Sequence, residues 1–193
     1  MNAVDYSVCA AEEIKQQLQS VDPLQMGAFE DELMEAKRIF VAAAGRSLLA
    51  MKFFAMRLMQ YEFTTFLVGE VCTPSIGNGD LLVIGSGSGS TPSMYAIAQK
   101  AKNAGARVVL VTLNPFGKIC ELADRVVIVG NRKIPEAALD YESCDSECFE
   151  TVRPSGNIAE VSMVILLDAV TCRLMLHKKM SISTLKHNHA NLE

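Results

Sequence analysis

The sequence predicts an α/β protein with three layers, in which a five-stranded parallel sheet is flanked by helices as in flavodoxin-like folds. Five short apolar runs of strand composition alternate with segments of helical spacing, which is typical of βαβ units. The runs are nearly continuous in Val, Leu and Ile, as expected of strands that are covered on both faces. Ligands of such sheets gather at the carboxyl ends of the strands, so a site is expected there.

Composition and charge exclude several classes of protein. Of the 193 residues, 50% are hydrophobic and 21% are charged, which is typical of one soluble domain over residues 1–193. The net charge of −4 gives no reason to expect a nucleic acid or an anionic membrane as a partner. No apolar run approaches the ~20 residues of a membrane span, and no signal-peptide pattern is present. We therefore expect a cytoplasmic protein.

The six cysteines are scattered along the chain, which predicts free thiols rather than a disulfide framework. Cys144 and Cys148 are the one close pair. Their C-x-x-x-C spacing is neither the redox C-x-x-C nor by itself a zinc site, so no metal is expected.

Apolar residues at helical intervals predict two helices before the first strand, over residues 3–20 and about 25–37, with a break at Pro23. Their apolar faces would cover the domain or join two subunits. The remaining predicted helices follow strands or the last loop, over residues 48–60, 93–103 and 158–179.

Each apolar run that predicts a strand is followed by a residue or turn that stops it. The first ends in a glycine turn at Gly45, the fourth before Pro115, and the fifth at Gly130. The five runs cover residues 38–44, 63–68, 80–84, 107–112 and 125–129. Residues 131–153 lack periodicity, which predicts a long loop rather than a domain linker.

The segment after the third strand, residues 85–92, carries the clearest candidate for a ligand site. Its glycines, which allow a sharp turn and a close approach to a ligand, are Gly85, Gly87 and Gly89. Its hydroxyl donors are Ser86, Ser88, Ser90 and Thr91. The following helix start adds free N–H groups, and the absence of Lys and Arg favours a small monophosphate over a triphosphate. Neither the Walker loop nor the dinucleotide fingerprint matches, and a turn without a ligand is the alternative.

Other candidate residues fall at the same predicted edge of the sheet, namely Gly45, Arg46, Ser47, Glu70 and residues 112–115. Ser47 either caps the helix or presents its hydroxyl to a ligand. Arg46 either faces the ligand crevice or is simply solvated.

Glu160 lies in the first turn of the last long predicted helix. It either stabilises the helix dipole or serves as a catalytic base. The carboxyl terminus holds two of the three histidines, His187 and His189, whose spacing does not favour a helical metal pair. A frayed polar terminus is the usual explanation of such an ending.

These motifs, in this order, resemble the sugar isomerase (SIS) domain family over nearly the whole chain. The segments that carry the resemblance are residues 44–47, 54–59, 68–70, 73–77, 85–92, 154–156 with Glu160, and 189–193. The resemblance is strongest to the members that convert D-arabino-3-hexulose 6-phosphate to fructose 6-phosphate through an enediol. It implies a place in the ribulose monophosphate pathway of formaldehyde fixation, a sugar phosphate as the ligand, and no cofactor or metal.

The resemblance also implies roles for individual residues. The phosphate would be bound by Ser47, Ser86, Ser88 and Thr91. Further candidate contacts with the substrate are Gly45, Gly87, Gly89 and Ser90, the last at a position where the family often has glutamate. The catalytic groups would be Glu160 as the base, His189 as a proton shuttle or aid to ring opening, and Arg46 as a partner of the enediolate.

The family resemblance further implies a homotetramer in which neighbouring subunits share active sites. Two alternatives are another sugar-phosphate isomerase of the family, acting on a seven-carbon sugar or on arabinose 5-phosphate, and a non-catalytic sugar-phosphate sensor. Sensors of this kind carry a helix-turn-helix domain, for which the chain has neither spare length nor basic charge. A structural role without a ligand is the third alternative.

Overall fold

The computed structural model describes residues 2–130, 157–189 and 191. Five parallel strands form one sheet in the order β2-β1-β3-β4-β5. They are β1 (Ile39–Ala43), β2 (Thr65–Leu67), β3 (Leu81–Gly85), β4 (Arg107–Thr112) and β5 (Arg125–Ile128). The predicted five-stranded parallel sheet is confirmed, and the predicted strands lie within about two residues of the observed ones.

Six α-helices are present among the described residues. They are α1 (Ala3–Gln19), α2 (Pro23–Glu35), α3 (Gly45–Gln60), α4 (Pro92–Asn103), α5 (Asn157–His177) and α6 (Ile182–His187). A 3-10 helix, Lys118–Glu121, precedes β5. Helix α6 was not predicted from the sequence. The predicted loop over residues 131–153, with Cys144 and Cys148, lies outside the described residues.

The central strands are buried on both faces because helices cover each side of the sheet. On one side, the apolar faces of α2, α3 and α5 pack around Phe29, Phe54 and Leu167. On the other side, α4 and the 3-10 helix cover Phe40 and Leu110. Every residue of β1 and of β3 is buried, as expected of continuous apolar runs in a parallel sheet.

The register between β1 and β3 places their ends level. Ile39 pairs with Leu81, and the pairing continues without a bulge to Ala43 opposite Gly85. The segments that follow the two strands therefore begin side by side. We call this side of the sheet, where the parallel strands end, the carboxyl edge.

Helices α3 and α5 pack against each other in parallel. Arg46, at the start of α3, lies beside Glu160 at the start of α5, and Arg57 Nε is 3.4 Å from Asp168 Oδ1 further along. Near the carboxyl ends of both helices, Lys178 Nζ donates to the Tyr61 carbonyl at 2.7 Å. Both helix starts are thus at the carboxyl edge of the sheet.

An ion pair fixes the opposite edge, where β1 and β3 begin. Arg38 donates to Asp80 through Nε at 2.9 Å and through Nη2 at 2.6 Å. The buried Asp80 carboxylate also accepts from the Gly77 N–H at 2.8 Å. The hydrogen bond from Arg38 holds the pKa of Asp80 below its usual value, against the opposing effect of burial.

We expect Asp80→Asn to lower stability at neutral pH and to flatten its dependence on pH in acid. The pKa of Asp80 is lower in the folded state than in the unfolded state. The contribution of its carboxylate to the free energy of unfolding is therefore complete above the unfolded-state pKa of about 3.9, and it is lost as the pH falls through the folded-state pKa. Thermal unfolding between about pH 2 and pH 7 measures both effects. The exposed Asp31 provides the control, Asp31→Asn, and equal behaviour of the two variants would contradict the prediction.

Candidate active site

The segment between β3 and α4, residues 86–91, brings three hydroxyl groups together at the carboxyl edge. We call it the phosphate loop. Ser86 Oγ lies 2.9 Å from Thr91 Oγ1, and Ser88 Oγ lies 3.5 Å from the same oxygen. Ser86 is only 3% exposed, whereas Ser88 is exposed. A cluster of neutral donors before the start of α4 is suited to an oxyanion that enters from the solvent side.

Ser90 belongs to the same loop but has a different environment. Its Oγ accepts from the backbone N–H of Lys118 at 3.1 Å, and its own N–H donates to Ser88 Oγ at 3.2 Å. The hydroxyl of Ser90 thus links the phosphate loop to the 3-10 helix. This contact gives Ser90 a structural part in the loop that the sequence did not reveal.

Gly89 is the position in the loop where a side chain would fit worst. Its φ is +63°, and a Cβ atom there would lie 3.0 Å from Thr112 Oγ1 and 3.2 Å from the Asn114 carbonyl oxygen. At Gly87, an added Cβ would be in ordinary contact, 3.7 Å from the Cβ of Ala159. This last contact places the start of α5 against the phosphate loop.

The turn from β1 into α3 differs from the sequence prediction. The helix begins at Gly45, whose φ of +57° takes the chain directly from strand to helix. The cap position therefore falls on Ala44, whose methyl group cannot accept a hydrogen bond from the first N–H groups of the helix. The interpretation of Ser47 as the cap is wrong. Ser47 instead lies half-buried in the first turn of α3, at the same edge as the phosphate loop.

Glu160 and Arg46 meet between the starts of α5 and α3. Glu160 Oε1 is 3.9 Å from Arg46 Nε, and the Glu160 side chain is 14% exposed while that of Arg46 is 64% exposed. The second oxygen, Glu160 Oε2, is buried and has no hydrogen-bond partner among the residues that the structure describes. A carboxylate that keeps one oxygen unbonded in this position can accept a proton.

His189 is not part of this cluster within one chain. The preceding residue, Asn188, donates from Nδ2 to the carbonyl of Gln60, the last residue of α3, at 3.0 Å. Since a helix rises about 1.5 Å per residue, the ends of α3 are about 24 Å apart. The exposed His189 thus lies near the far end of α3 from Arg46.

The frayed carboxyl terminus expected from the sequence over residues 186–193 is wrong for residues 186–188. Residues Ile182–His187 form α6, whose start is capped by Ser181 through a 3.1 Å hydrogen bond from the Thr184 N–H. The contact from Asn188 to α3 then fixes the end of this helix.

Several other predictions can be located among the described residues. Glu70 pairs with Lys52 at 3.2 Å, and both side chains are exposed. The described cysteines are free, as predicted, and they are Cys9, Cys72, Cys120 and Cys172. Within the described ranges, no group of three or more His, Cys, Asp or Glu side chains is placed to hold a metal ion. No helix of these ranges combines the length and apolar content needed to cross a bilayer.

Two buried polar residues at this edge, Thr112 and Asn114, lie in the candidate segment 112–115, but the sequence assigned them no specific role. Both follow or end β4 and both bond the backbone of the phosphate loop, Thr112 to Gly87 and Asn114 to Ser88. The sequence feature that could have indicated a role is a Thr and an Asn two residues apart at the end of a strand, immediately before Pro115.

Comparison with known proteins shows that this chain is similar to sugar-phosphate isomerases. A family model described as SIS domain matches residues 32–140. The 3-hexulose-6-phosphate isomerase of Bacillus subtilis is 38% identical over 163 residues, which are 84% of each chain. The 3-hexulose-6-phosphate isomerase of Methylomonas aminofaciens is 38% identical over 160 residues, 82% of each chain.

A solved structure has the same fold as this chain. A hypothetical protein of Methanococcus jannaschii, for which a molecular function of 3-hexulose-6-phosphate isomerase was inferred, superimposes with a TM-score of 0.80. The two chains are 28% identical, and the match covers 98% of this chain and 99% of the other.

We expect Gly89→Ala to weaken sugar-phosphate binding as well as stability. A side chain at a positive φ costs on the order of 1–2 kcal/mol, and at this position it also presses against the segment after β4. Thermal unfolding and titration with fructose 6-phosphate measure the two effects separately.

Gly105→Ala is the matched control, because Gly105 has a φ of +83° with only ordinary contacts, near the start of β4 at the opposite edge. It should lose similar stability and keep the affinity of the natural protein. An unchanged affinity in Gly89→Ala would contradict the importance of the loop conformation.

Proposed function

Because this chain belongs to the SIS domain family and, within it, to the 3-hexulose-6-phosphate isomerases, we propose that it converts D-arabino-3-hexulose 6-phosphate to fructose 6-phosphate. The observation that carries the proposal is the meeting of a hydroxyl-lined phosphate loop with a carboxylate and a guanidinium at one sheet edge. The loop holds the phosphate, and the charged pair acts on the sugar. Neither a redox step nor a cofactor is needed to move a carbonyl to the neighbouring carbon.

The phosphate is bound by neutral donors. Ser86, Ser88 and Thr91 supply hydroxyls, and the first turn of α4 adds the positive end of its dipole. Ser47 and the uncapped start of α3 at Gly45 contribute from the neighbouring strand. A site of this kind balances the charge of a monophosphate only in part, which allows the product to leave.

Glu160 is the base of the isomerisation. Its carboxylate takes the proton from C2 of the 3-ketose, and the electrons of the broken C–H bond form a 2,3-enediolate. Return of the proton to C3, with the carbonyl now at C2, gives the 2-ketose. Two observations support this role: Glu160 Oε2 has no hydrogen-bond partner within the described part of the chain, and the side chain is mostly buried.

Arg46 and His189 act on the oxygens. Arg46 places a positive charge within 3.9 Å of the Glu160 carboxylate, so it also lies close to the negative charge that develops on the enediolate. His189 moves the hydroxyl proton between the oxygens on C3 and C2, or assists ring opening.

The position of His189 supports a shared active site. Within one chain α3 separates the Asn188 contact at Gln60 from Arg46, so His189 would serve the site of a neighbouring copy. The outer faces of α3 and α5 carry exposed apolar side chains, which are Leu49, Phe53, Met56, Ile165 and Leu176. Faces of this kind mark protein interfaces.

Two-fold packing of these faces would overcome the separation of His189 from Arg46 that exists within one chain. A two-fold axis perpendicular to the helices makes α3 of one copy antiparallel to α3 of the other. The end of α3 in one copy then lies beside the start of α3 in its partner. His189 of one copy would then lie near Arg46 and Glu160 of the next. Such packing accounts for a pair of subunits, and the homotetramer that the family resemblance implies would consist of two such pairs.

We further propose a domain organisation, a location and a metabolic role for the protein. Residues 1–193 would form one SIS domain in the cytoplasm, without a nucleic-acid or membrane partner, and its reaction would follow formaldehyde fixation in the ribulose monophosphate pathway. The net charge of −4 supports the lack of a nucleic-acid or membrane partner, and the contribution of α2 and α5 to the same core as β1 and β3 supports a single domain. Incubation with 3-hexulose 6-phosphate, made in situ by its synthase, tests the activity through the appearance of fructose 6-phosphate. Absence of product would refute it.

We expect Glu160→Gln to lower kcat by about 100-fold to 10,000-fold, the range of general base catalysis, and to leave binding of fructose 6-phosphate nearly intact. Steady-state kinetics and calorimetry measure the two quantities. Glu70→Gln is the matched control, since Glu70 also pairs with a cation of α3 but is exposed. Normal turnover by Glu160→Gln would exclude Glu160 as the base.

We expect Glu160→Gln and His189→Ala to complement each other when they are expressed together. If each site takes Glu160 from one copy and His189 from another, random mixing leaves roughly one site in four intact. The mixture should thus recover about a quarter of the natural activity, measured per subunit, while each variant alone is inactive. Failure of the mixture to exceed the separate variants would rule out sharing of these two residues.

A further inference from the structure

We infer that Asn114 is a positioning residue for substrate binding, which sets the phosphate loop through Ser88 and does not itself touch the substrate. The inference rests on the proposed function, because it assigns a part in binding the phosphate of the same sugar. It concerns the segment after β4, residues 112–119, which lies beside the loop.

The carboxamide of Asn114 bridges two backbone segments. Nδ2 donates to the Ser88 carbonyl at 2.9 Å, and Oδ1 accepts from the Phe116 N–H at 3.0 Å. Asn114 is only 2% exposed, so neither contact is shared with bulk solvent. An amide is the side-chain group that supplies a donor and an acceptor at this distance from the backbone.

Thr112 supports the same arrangement from the last residue of β4. Its fully buried Oγ1 donates to the Gly87 carbonyl at 3.2 Å and accepts from the Asn114 N–H at 3.1 Å. One hydroxyl therefore fixes both the loop and the backbone of the residue that holds it.

Three successive carbonyl groups of the loop are bonded to this segment. Those of Gly87 and Ser88 accept from the side chains of Thr112 and Asn114, and that of Gly89 accepts from the Ile119 N–H at 2.9 Å. A carbonyl oxygen that turned toward a bound phosphate would repel it. Since the C=O and N–H of a trans peptide point in opposite directions, bonding the Gly87 carbonyl to Thr112 turns the Ser88 N–H away from β4.

The chemistry of this site requires the amide rather than a carboxylate. An aspartate at position 114 would keep the shape and the acceptor for the Phe116 N–H, but it would face the Ser88 carbonyl with an oxygen and leave that carbonyl without its donor. It would also place a negative charge next to the loop that binds the phosphate.

The test is the affinity of Asn114→Asp for fructose 6-phosphate, measured by calorimetry, together with KM and kcat. We expect Kd and KM to rise by about tenfold or more, while kcat at saturation is retained, because the base on α5 is unaffected. Gln25→Glu is the control, since this change also turns an amide into a carboxylate, and the Gln25 Oε1 atom that bonds the Ile128 N–H is kept. It should leave Kd unchanged.

A second pair of variants is informative even if Asn114→Asp fails to fold. Thr112→Val removes the hydroxyl at nearly constant volume and should raise Kd, whereas Thr112→Ser keeps the hydroxyl and should restore the natural value. Equal affinity of these two variants would overturn the inference. A folded Asn114→Asp with lower thermal stability but natural Kd and KM would overturn it too, since the residue would then be merely structural.

Binding and turnover distinguish this inference from the proposed function. A natural protein that binds fructose 6-phosphate but does not convert 3-hexulose 6-phosphate would refute the isomerase, and the effect of Asn114→Asp on Kd would still decide the role of Asn114. A natural protein that binds no sugar phosphate would refute both.

Discussion

The register between β1 and β3 is the constraint on which the candidate site depends. The pairing from Ile39 with Leu81 to Ala43 with Gly85 makes the turn into α3 and the phosphate loop begin at the same level. At the other end of these strands, the Arg38 and Asp80 pair joins the residues that precede them, so the register is held from both ends. A slip of one residue would move the loop away from α3 and reverse the faces of a whole strand.

The second determinant is the parallel packing of α3 and α5. These helices lie on the same face of the sheet and bury Phe54 and Leu167 between them and the strands. Because both start at the carboxyl edge, Arg46 and Glu160 meet there although they are far apart in sequence. The same packing fixes their far ends at Tyr61 and Lys178, which leaves the carboxyl-terminal helix at the other edge. One helix pair thus determines which candidate residues can act together in one chain.

The sequence predicted the parts of this structure that depend on local pattern. Continuous apolar runs identified all five strands, and the glycine and hydroxyl pattern identified the loop whose Ser86 and Thr91 are in contact. It failed where tertiary contacts decide. The start of α3 depends on the φ of Gly45, which propensity does not reveal, and the short α6 is held by the contact of Asn188 with Gln60. The approach of Arg46 to Glu160 depends on how two helices pack, and no spacing in the sequence encodes it.

The contact between Gly89 and Gly117 has a consequence for how the protein selects its ligand. The two backbones lie so close that a Cβ atom on Gly117 would come within 2.5 Å of the Gly89 carbonyl. The loop therefore has little freedom to adapt, and binding of a phosphate costs little ordering entropy. Such a rigid cradle would accept the phosphate of many sugars alike. If the proposed function is correct, discrimination between sugars would then come from the groups proposed to meet the carbon chain, at Arg46, Glu160 and a neighbouring copy.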